Sequence, residues 1–212
     1  MGIKDFAIIS NGEVFENINK SKKVKRLEKK LRREQRSLSR KYQSKKKHDQ
    51  KNQKKKRGEE TADQNHAKKR SANIEKNVTR VQKLYQALTR IREEYIRYVI
   101  SVLLIIKPKY VTIEDLNVSG MMKNRHLSRA IANQKFSYFR SWLIYKCQKA
   151  GIGVRIVDRF YPSSRTCCKC GHIKKDLKLS ERTFKCPSCN NEIDRDMQAA
   201  INLARCDKYK IA

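Results

Sequence analysis

Acidic residues are scarce in this sequence. Only 21 Asp and Glu stand against 52 Lys and Arg in 212 residues, which leaves a net charge of +31. Self-repulsion on that scale destabilises a compact chain, so an ordinary globular domain without a polyanionic partner is excluded. Long apolar runs are also missing. A membrane-spanning helix needs roughly 20 consecutive apolar residues, whereas Val99 to Ile106 is apolar but short and reads as a helix end entering a core. A basic body without a membrane span makes nucleic acid a better partner than a membrane surface. No secretory signal pattern opens the chain, so the expected location is the cytoplasm. The four histidines, His48, His66, His126 and His172, are scattered and form no cluster.

Four of the seven cysteines fall into two Cys-x2-Cys knuckles. Cys167 and Cys170 form the first, and Cys186 and Cys189 follow after fifteen intervening residues. Four thiolates at that spacing can surround a tetrahedral zinc ion, and they suit a reducing compartment better than disulfides do. Cys168 competes with Cys167, but only Cys167 keeps the two-residue knuckle. A site closed by four thiolates is structural, not catalytic. Cys147 and Cys206 read as core thiols.

The remaining pattern predicts an α/β fold. Phe6 to Ile9, Asn11-Gly12 and Glu13 to Phe15 read as a β-hairpin with a two-residue turn. The first strand starts almost at Met1, so the chain is expected to begin inside an element. Residues 20–57 hold 20 Lys and Arg but only three acids, Glu28, Glu34 and Asp49, and so carry over half the net charge. Val24, Leu27, Leu31, Leu38 and Tyr42 recur at three- and four-residue steps there, which marks a helix with one narrow apolar seam. Residues 44–72 lose the seam and read as a loose connection. Periodicity returns from Ile74 through Val78, Val81, Tyr85, Leu88, Ile91, Tyr95 and Val99 to Val102, which predicts a long antiparallel helical hairpin with a basic outer face. Few acids interleave there, so Lys22, Lys25, Arg26, Lys29, Arg33, Arg36 and Arg40 are candidates for phosphate contact rather than a merely solvated face.

Tyr110 to Ile113 reads as a short strand ending at Glu114. Residues 128–150 read as one helix with Ile131, Phe136, Phe139, Leu143 and Cys147 inward, and Val154 to Val157 as a further strand. Phe136, Tyr138, Phe139, Trp142 and Tyr145 could offer base-stacking surfaces, although helical spacing puts most of them in the core. Glu114 at a strand end and Asp194 before the last helix could join in holding Mg²⁺ for phosphodiester hydrolysis. Each could equally be a surface acid, and Asp194 is well placed to cap the helix that follows.

Several ordered segments together resemble the C-terminal half of the TnpB/OrfB proteins of insertion sequences, relatives of the type V CRISPR nucleases. They are Gly2-Ile3-Lys4-Asp5-Phe6-Ala7, Ile113-Glu114-Asp115-Leu116-Asn117-Val118 and Arg159-Phe160-Tyr161-Pro162-Ser163-Ser164. Cys167-x-x-Cys170-Gly171 and Asp194-Arg195-Asp196 with Ala199-Ala200-x-Asn202 complete the set. The resemblance implies an RNase H-like RuvC core interrupted by the basic helical hairpin and by a zinc ribbon. The implied division is a first hairpin over 1–19, a helical insertion over 20–105, core over 106–163, ribbon over 164–191 and a last helix over 192–212. It also implies a Mg²⁺-dependent DNA endonuclease guided by an RNA made at the element's end. Glu114 and Asp194 match catalytic carboxylates of the family, and Asp196 is a neighbour with a weaker claim. The family's first catalytic aspartate would immediately precede Met1. The chain is therefore expected to be truncated at its start and impaired in cleavage, or to be a nuclease-dead remnant that binds DNA or RNA. Arg92-Glu93-Glu94-Tyr95-Ile96 departs from the family's usual Arg-x-Asp-Phe-x-His-Lys stretch.

Overall fold

A computed structural model describes residues 1–55, 71–178 and 180–212. The chain forms two compact units, one of Met1–Asn19 with Arg92–Ala212 and one of Lys20–Ile91.

The first unit opens with strands β1 (Asp5–Ile8) and β2 (Val14–Glu16), an antiparallel pair. The turn is longer than the two residues expected. Gly12 N–H donates to the Ile9 carbonyl, and Ile9 N–H donates to the Glu13 carbonyl. Gly12 takes φ +96°, while Asn11 keeps a negative φ and uses its side-chain oxygen to accept from Glu13 N–H. A turn closed by one left-handed residue is a common alternative to the tight two-residue loop.

Helix α1 (Lys22–Lys55) and the first part of α2 (Ala72–Ile105) make up the second unit. Val24 and Leu31 of α1 and Ile74, Val81, Leu84 and Leu88 of α2 are buried. Glu34 accepts from Asn77 Nδ2 at 3.1 Å, and Lys41 Nζ reaches the Asn73 carbonyl, so the helices run antiparallel. Tyr85, expected in the seam, is half exposed and takes a hydrogen bond from Gln35, while Leu84 is buried in its stead. The loose connection expected over 44–72 is helical as far as Lys55, because straight-chain Lys and Gln are good helix formers even without a seam. Its residues 56–70 lie outside the described residues.

After α2 the first unit continues with β3 (Tyr110–Glu114), the short helix α3 (Val118–Met122), α4 (Ser128–Gln134), α5 (Phe136–Lys149) and β4 (Gly153–Val157). β3 and β4 pair in parallel, and β7 (Tyr209–Ile211) closes the far edge of β4 antiparallel. Residues 128–150 are thus two helices, not one. Lys135 breaks them at φ +53°, and the kink lets the adjacent Gln134 and Phe136 both point inward. The core gathers Phe6, Phe15, Ile96, Val99, Ile100, Leu103, Ile113, Phe139, Leu143, Cys147, Ile152 and Val154. Phe6 meets the rings of Phe139 and Tyr95 edge-on, at 5.3 and 5.8 Å. Burial pushes the Tyr95 phenol up to about 12, and its hydroxyl donates to the Glu16 carbonyl.

An RNase H-like core implies one continuous sheet. Among the described residues β1–β2 and β3–β4–β7 are separate sheets. Ala7 and Ile8 of β1 and all of β3 line an apolar slot of about 210 Å³, together with Leu103 of α2 and Leu203 of the last helix. The buried Thr112 hydroxyl has no hydrogen-bond partner.

The chain ends with β5 (Thr183–Lys185), β6 (Glu192–Asp194) and α6 (Arg195–Arg205) before β7. β5 and β6 pair antiparallel and carry the second knuckle between them.

Candidate metal centre and nucleic-acid interface

The two knuckles fold alike for a local reason. In the first, Gly171 N–H donates to the Cys167 carbonyl and Cys167 N–H donates to the His172 carbonyl. In the second, Asn190 N–H donates to Cys186 and Cys186 N–H to Asn191, at the same offsets. Each turn needs one left-handed residue, supplied by Gly171 at φ +76° and Asn190 at φ +54°, two residue types that tolerate that region. The knuckles thereby face each other. All four sulfurs lie within 4.8 Å of one another, with Cys167–Cys189 and Cys170–Cys186 each at 3.6 Å. A tetrahedron of sulfurs about 2.3 Å from a central zinc has edges of roughly 3.8 Å, so the quartet fits such an ion. Burial works against ionisation of Cys186, but N–H donors from Cys189 and Ser188 bring its thiol down to about 6. Cys168 stays outside the quartet, with Asn191 Nδ2 near its sulfur and Arg205 on its carbonyl. Behind the sulfurs sits a small apolar cluster of Leu177, Phe184 and Ile193.

A cavity of about 610 Å³ opens beside the quartet's supporting helix. Glu114 reaches it from the end of β3, Asp5 from β1 and Asp196 from the first turn of α6. Arg165, Arg182 and Arg195 also line it. The Met1 nitrogen lies 3.1 Å from Glu114 Oε1. Asp194 does not line this cavity. Its Oδ1 accepts from the N–H groups of Asp196 and Met197 at 2.9 and 3.0 Å, which makes it the N-cap of α6. The capping rule was readable in sequence, and it leaves the residue two places on, Asp196, to face the cavity. The three carboxylates line one cavity; among the described residues, the cysteine quartet is the only group of three or more ligating side chains brought within 4.8 Å.

Two further features received no role from the sequence. Asp115, next to Glu114, is clasped by Arg159 and Arg140, each at 2.7 Å, and these bonds hold its carboxyl below the usual range. Gln198 and Asn202 of α6 are buried and donate to the carbonyls of Ser163, Ser164 and Thr166, which fixes the approach to Cys167. Their apolar helical surroundings gave no hint that they serve as polar clamps.

Lys22, Lys25, Arg26, Lys29, Arg33, Arg36 and Arg40 are all exposed along α1. At about 100° per residue they occupy one stripe on the side away from Val24 and Leu31. None of the seven makes an ion pair among the described residues, so the stripe presents uncompensated positive charge to solvent.

Residues 136–203 match the family model of the Cas12f1-like TNB domain. A Streptomyces pristinaespiralis protein named "Putative RNA-guided DNA endonuclease" is 36% identical over 135 residues, covering 64% of this chain and 33% of that protein. "Putative RNA-guided DNA endonuclease InsQ" of Escherichia coli K12 is 29% identical over 217 residues, covering 95% of this chain and 46% of its own. The chain therefore spans a third to about half the length of these curated relatives. A structure titled as the Cas12f1-sgRNA-target DNA complex aligns at 21% identity with a TM-score of 0.47, covering 62% of this chain and 36% of that one. The chain is thus similar, over part of its length, to TnpB-like and Cas12f1 proteins.

Proposed function

We propose that this chain, kin to the TnpB-like RNA-guided DNA endonucleases, is the part of such a protein that combines a RuvC-like core with a zinc ribbon and a basic helical hairpin. The observation that carries this reading is the cysteine quartet, set between the strand ending at Glu114 and the helix that Asp194 opens, inside the segment that matches the TNB model. Zn²⁺ is the metal that four thiolates at these distances suit. Held by Cys167, Cys170, Cys186 and Cys189, it would supply folding energy and no chemistry. DNA and a guide RNA are the proposed partners, with phosphates received by the α1 stripe, and the cytoplasm is the proposed location.

The Mg²⁺ chemistry that the resemblance implies is less well supported. Two-metal hydrolysis needs carboxylates that converge on both ions, whereas Glu114, Asp196 and Asp5 line the cavity without forming, among the described residues, a group of three within 4.8 Å. The second reading is a nucleic-acid-binding protein that does not cut. If carboxylates of this cavity do cut, Asp196 is better placed than Asp194 to join Glu114.

The test compares the chain with a variant in which all seven stripe cations are Gln. Each phosphate contact to duplex DNA contributes about 0.9 to the slope of log K against log salt. The variant should bind a labelled duplex more weakly, with a shallower slope. Identical affinity and slope would remove the interface reading. Incubating single-stranded DNA with the chain in Mg²⁺ or Mn²⁺ separates the two readings: nicking abolished by Glu114→Ala would establish cleavage.

A further inference from the structure

α5 carries an aromatic ladder on the face opposite its core residues. Phe139, Leu143 and Cys147 point inward and are fully buried. Tyr138, Trp142 and Tyr145 follow at steps of four and three residues along another face. The rings of Tyr138 and Trp142 are nearly parallel, at 7° with centroids 6.2 Å apart, and Tyr145 lies 5.3 Å from Trp142. Tyr138 and Trp142 rest one side on the core, and Tyr145 is 42% exposed. Packing accounts for one side of Tyr138 and Trp142 but not for the exposed Tyr145 ring, since a solvent-facing helix position is ordinarily polar.

Cations interleave with the rings. Lys135 lies 5.1 Å from the Tyr138 centroid, Arg97 and Lys146 each 5.5 Å from Trp142, and Lys149 4.8 Å from Tyr145. α5 contains no acidic residue; Glu93 pairs with Lys135 and Arg97, and Glu94 also lies near Arg97. Arg97 also donates to the Tyr138 hydroxyl. Flat rings provide faces that any base can stack on, and mobile Lys and Arg heads beside them can turn to the phosphates between bases. A duplex hides its base faces, so this chemistry selects unpaired strands.

We propose that this α5 face binds single-stranded nucleic acid, with bases stacking on Trp142 and Tyr145 and phosphates meeting Arg97, Lys146 and Lys149. It is a different surface from the α1 stripe, it needs no metal, and it does not depend on cleavage.

Trp142 is the single tryptophan of the chain, so its emission reports directly on stacking. Titrating the full chain with an oligothymidylate of about fifteen nucleotides should quench that emission by about half or more, whereas the matching duplex should leave it nearly unchanged. Tyr145→Ala should weaken single-strand binding about tenfold, and Tyr145→Phe should restore it, since the ring and not the hydroxyl is needed. Tyr145 is solvent-facing, so thermal melting should show both variants folded. The seven-site α1 variant should still give full Trp142 quenching at saturation, even if more oligonucleotide is required. Binding detected by anisotropy with unchanged Trp142 emission would overturn the proposal. So would equal quenching by duplex, equal affinity in Tyr145→Ala, or no single-strand binding at all; the cations would then serve only to cover the rings.

Discussion

Replacing Asp194 should injure the fold and not the cavity. Its one oxygen accepts from two N–H groups at the start of α6, at 2.9 and 3.0 Å. Removing a cap of this kind costs about 1 kcal/mol, within roughly 0.5–2. In a chain of this size each kcal/mol moves the melting midpoint by about 2–4 °C. Asp194→Ala should therefore melt a few degrees lower. Asp194→Asn keeps an acceptor of the same shape and should melt close to the parent, losing only the attraction of a charge for the helix N-terminus. The damage should spread in one direction, because the same helix holds Ser163, Ser164 and Thr166 through Gln198 and Asn202. Those carbonyls lead into Cys167, so Asp194→Ala should also speed release of the quartet's metal to a chelator. Asp196→Asn, which gives up no cap bond from its side chain, should leave both readouts near the parent. Differential scanning fluorimetry and a chromogenic chelator measure the two quantities. The reasoning fails if Asp194→Ala melts with the parent, or if Asp194→Asn is as damaged as the alanine variant.

Three other expectations are open to direct measurement. Cys186→Ser should reduce zinc from one per chain to none and expose the amides of β5 and β6 to hydrogen exchange, because Leu177, Phe184 and Ile193 make too small an apolar cluster to hold the ribbon without metal; full zinc content in the variant would disprove this. Gly171→Val should destabilise the first knuckle by about 1–3 kcal/mol, since a β-branched residue is strained at φ +76°, whereas Asn190→Gly should be tolerated at the equivalent position; chelator resistance ranks the two. For Asp115 the sign follows from the arginines. Its folded carboxyl titrates below the unfolded value of about 3.9, so the stabilisation is present above that pH and lost as pH falls through the folded value. Asp115→Asn should remove that part of the acid loss, and urea melts between about pH 2 and 5 that keep the same acid slope would contradict it.

The first hairpin, the helical pair, β3, β4, the last helix, the metal quartet and the basic stripe were legible in the sequence because each is a local or periodic property. Cys-x2-Cys spacing sets a knuckle within a few residues, and the seam of α1 dictates which side its cations must leave exposed. The cap at Asp194 was legible for the same reason. Several local expectations failed where the demands of the fold overrode propensity, two of them at single residues. Lys135 is left-handed although nothing in its identity asks for it, because Gln134 and Phe136 both enter the core. Asn11 keeps an ordinary φ because a longer turn satisfies the hairpin with Gly12 alone. Only the tertiary structure could decide the long-range questions. It set Asp5, Glu114 and Asp196 on one cavity while Asp194 caps α6, clasped Asp115 between two distant arginines, and left β1 and β3 in separate sheets among the described residues. It also divided the aromatic residues of α5 between core and surface. Such outcomes depend on which residues far apart in the chain come within a few ångströms, and that is fixed by the packing of helices on strands, not by spacing along the sequence.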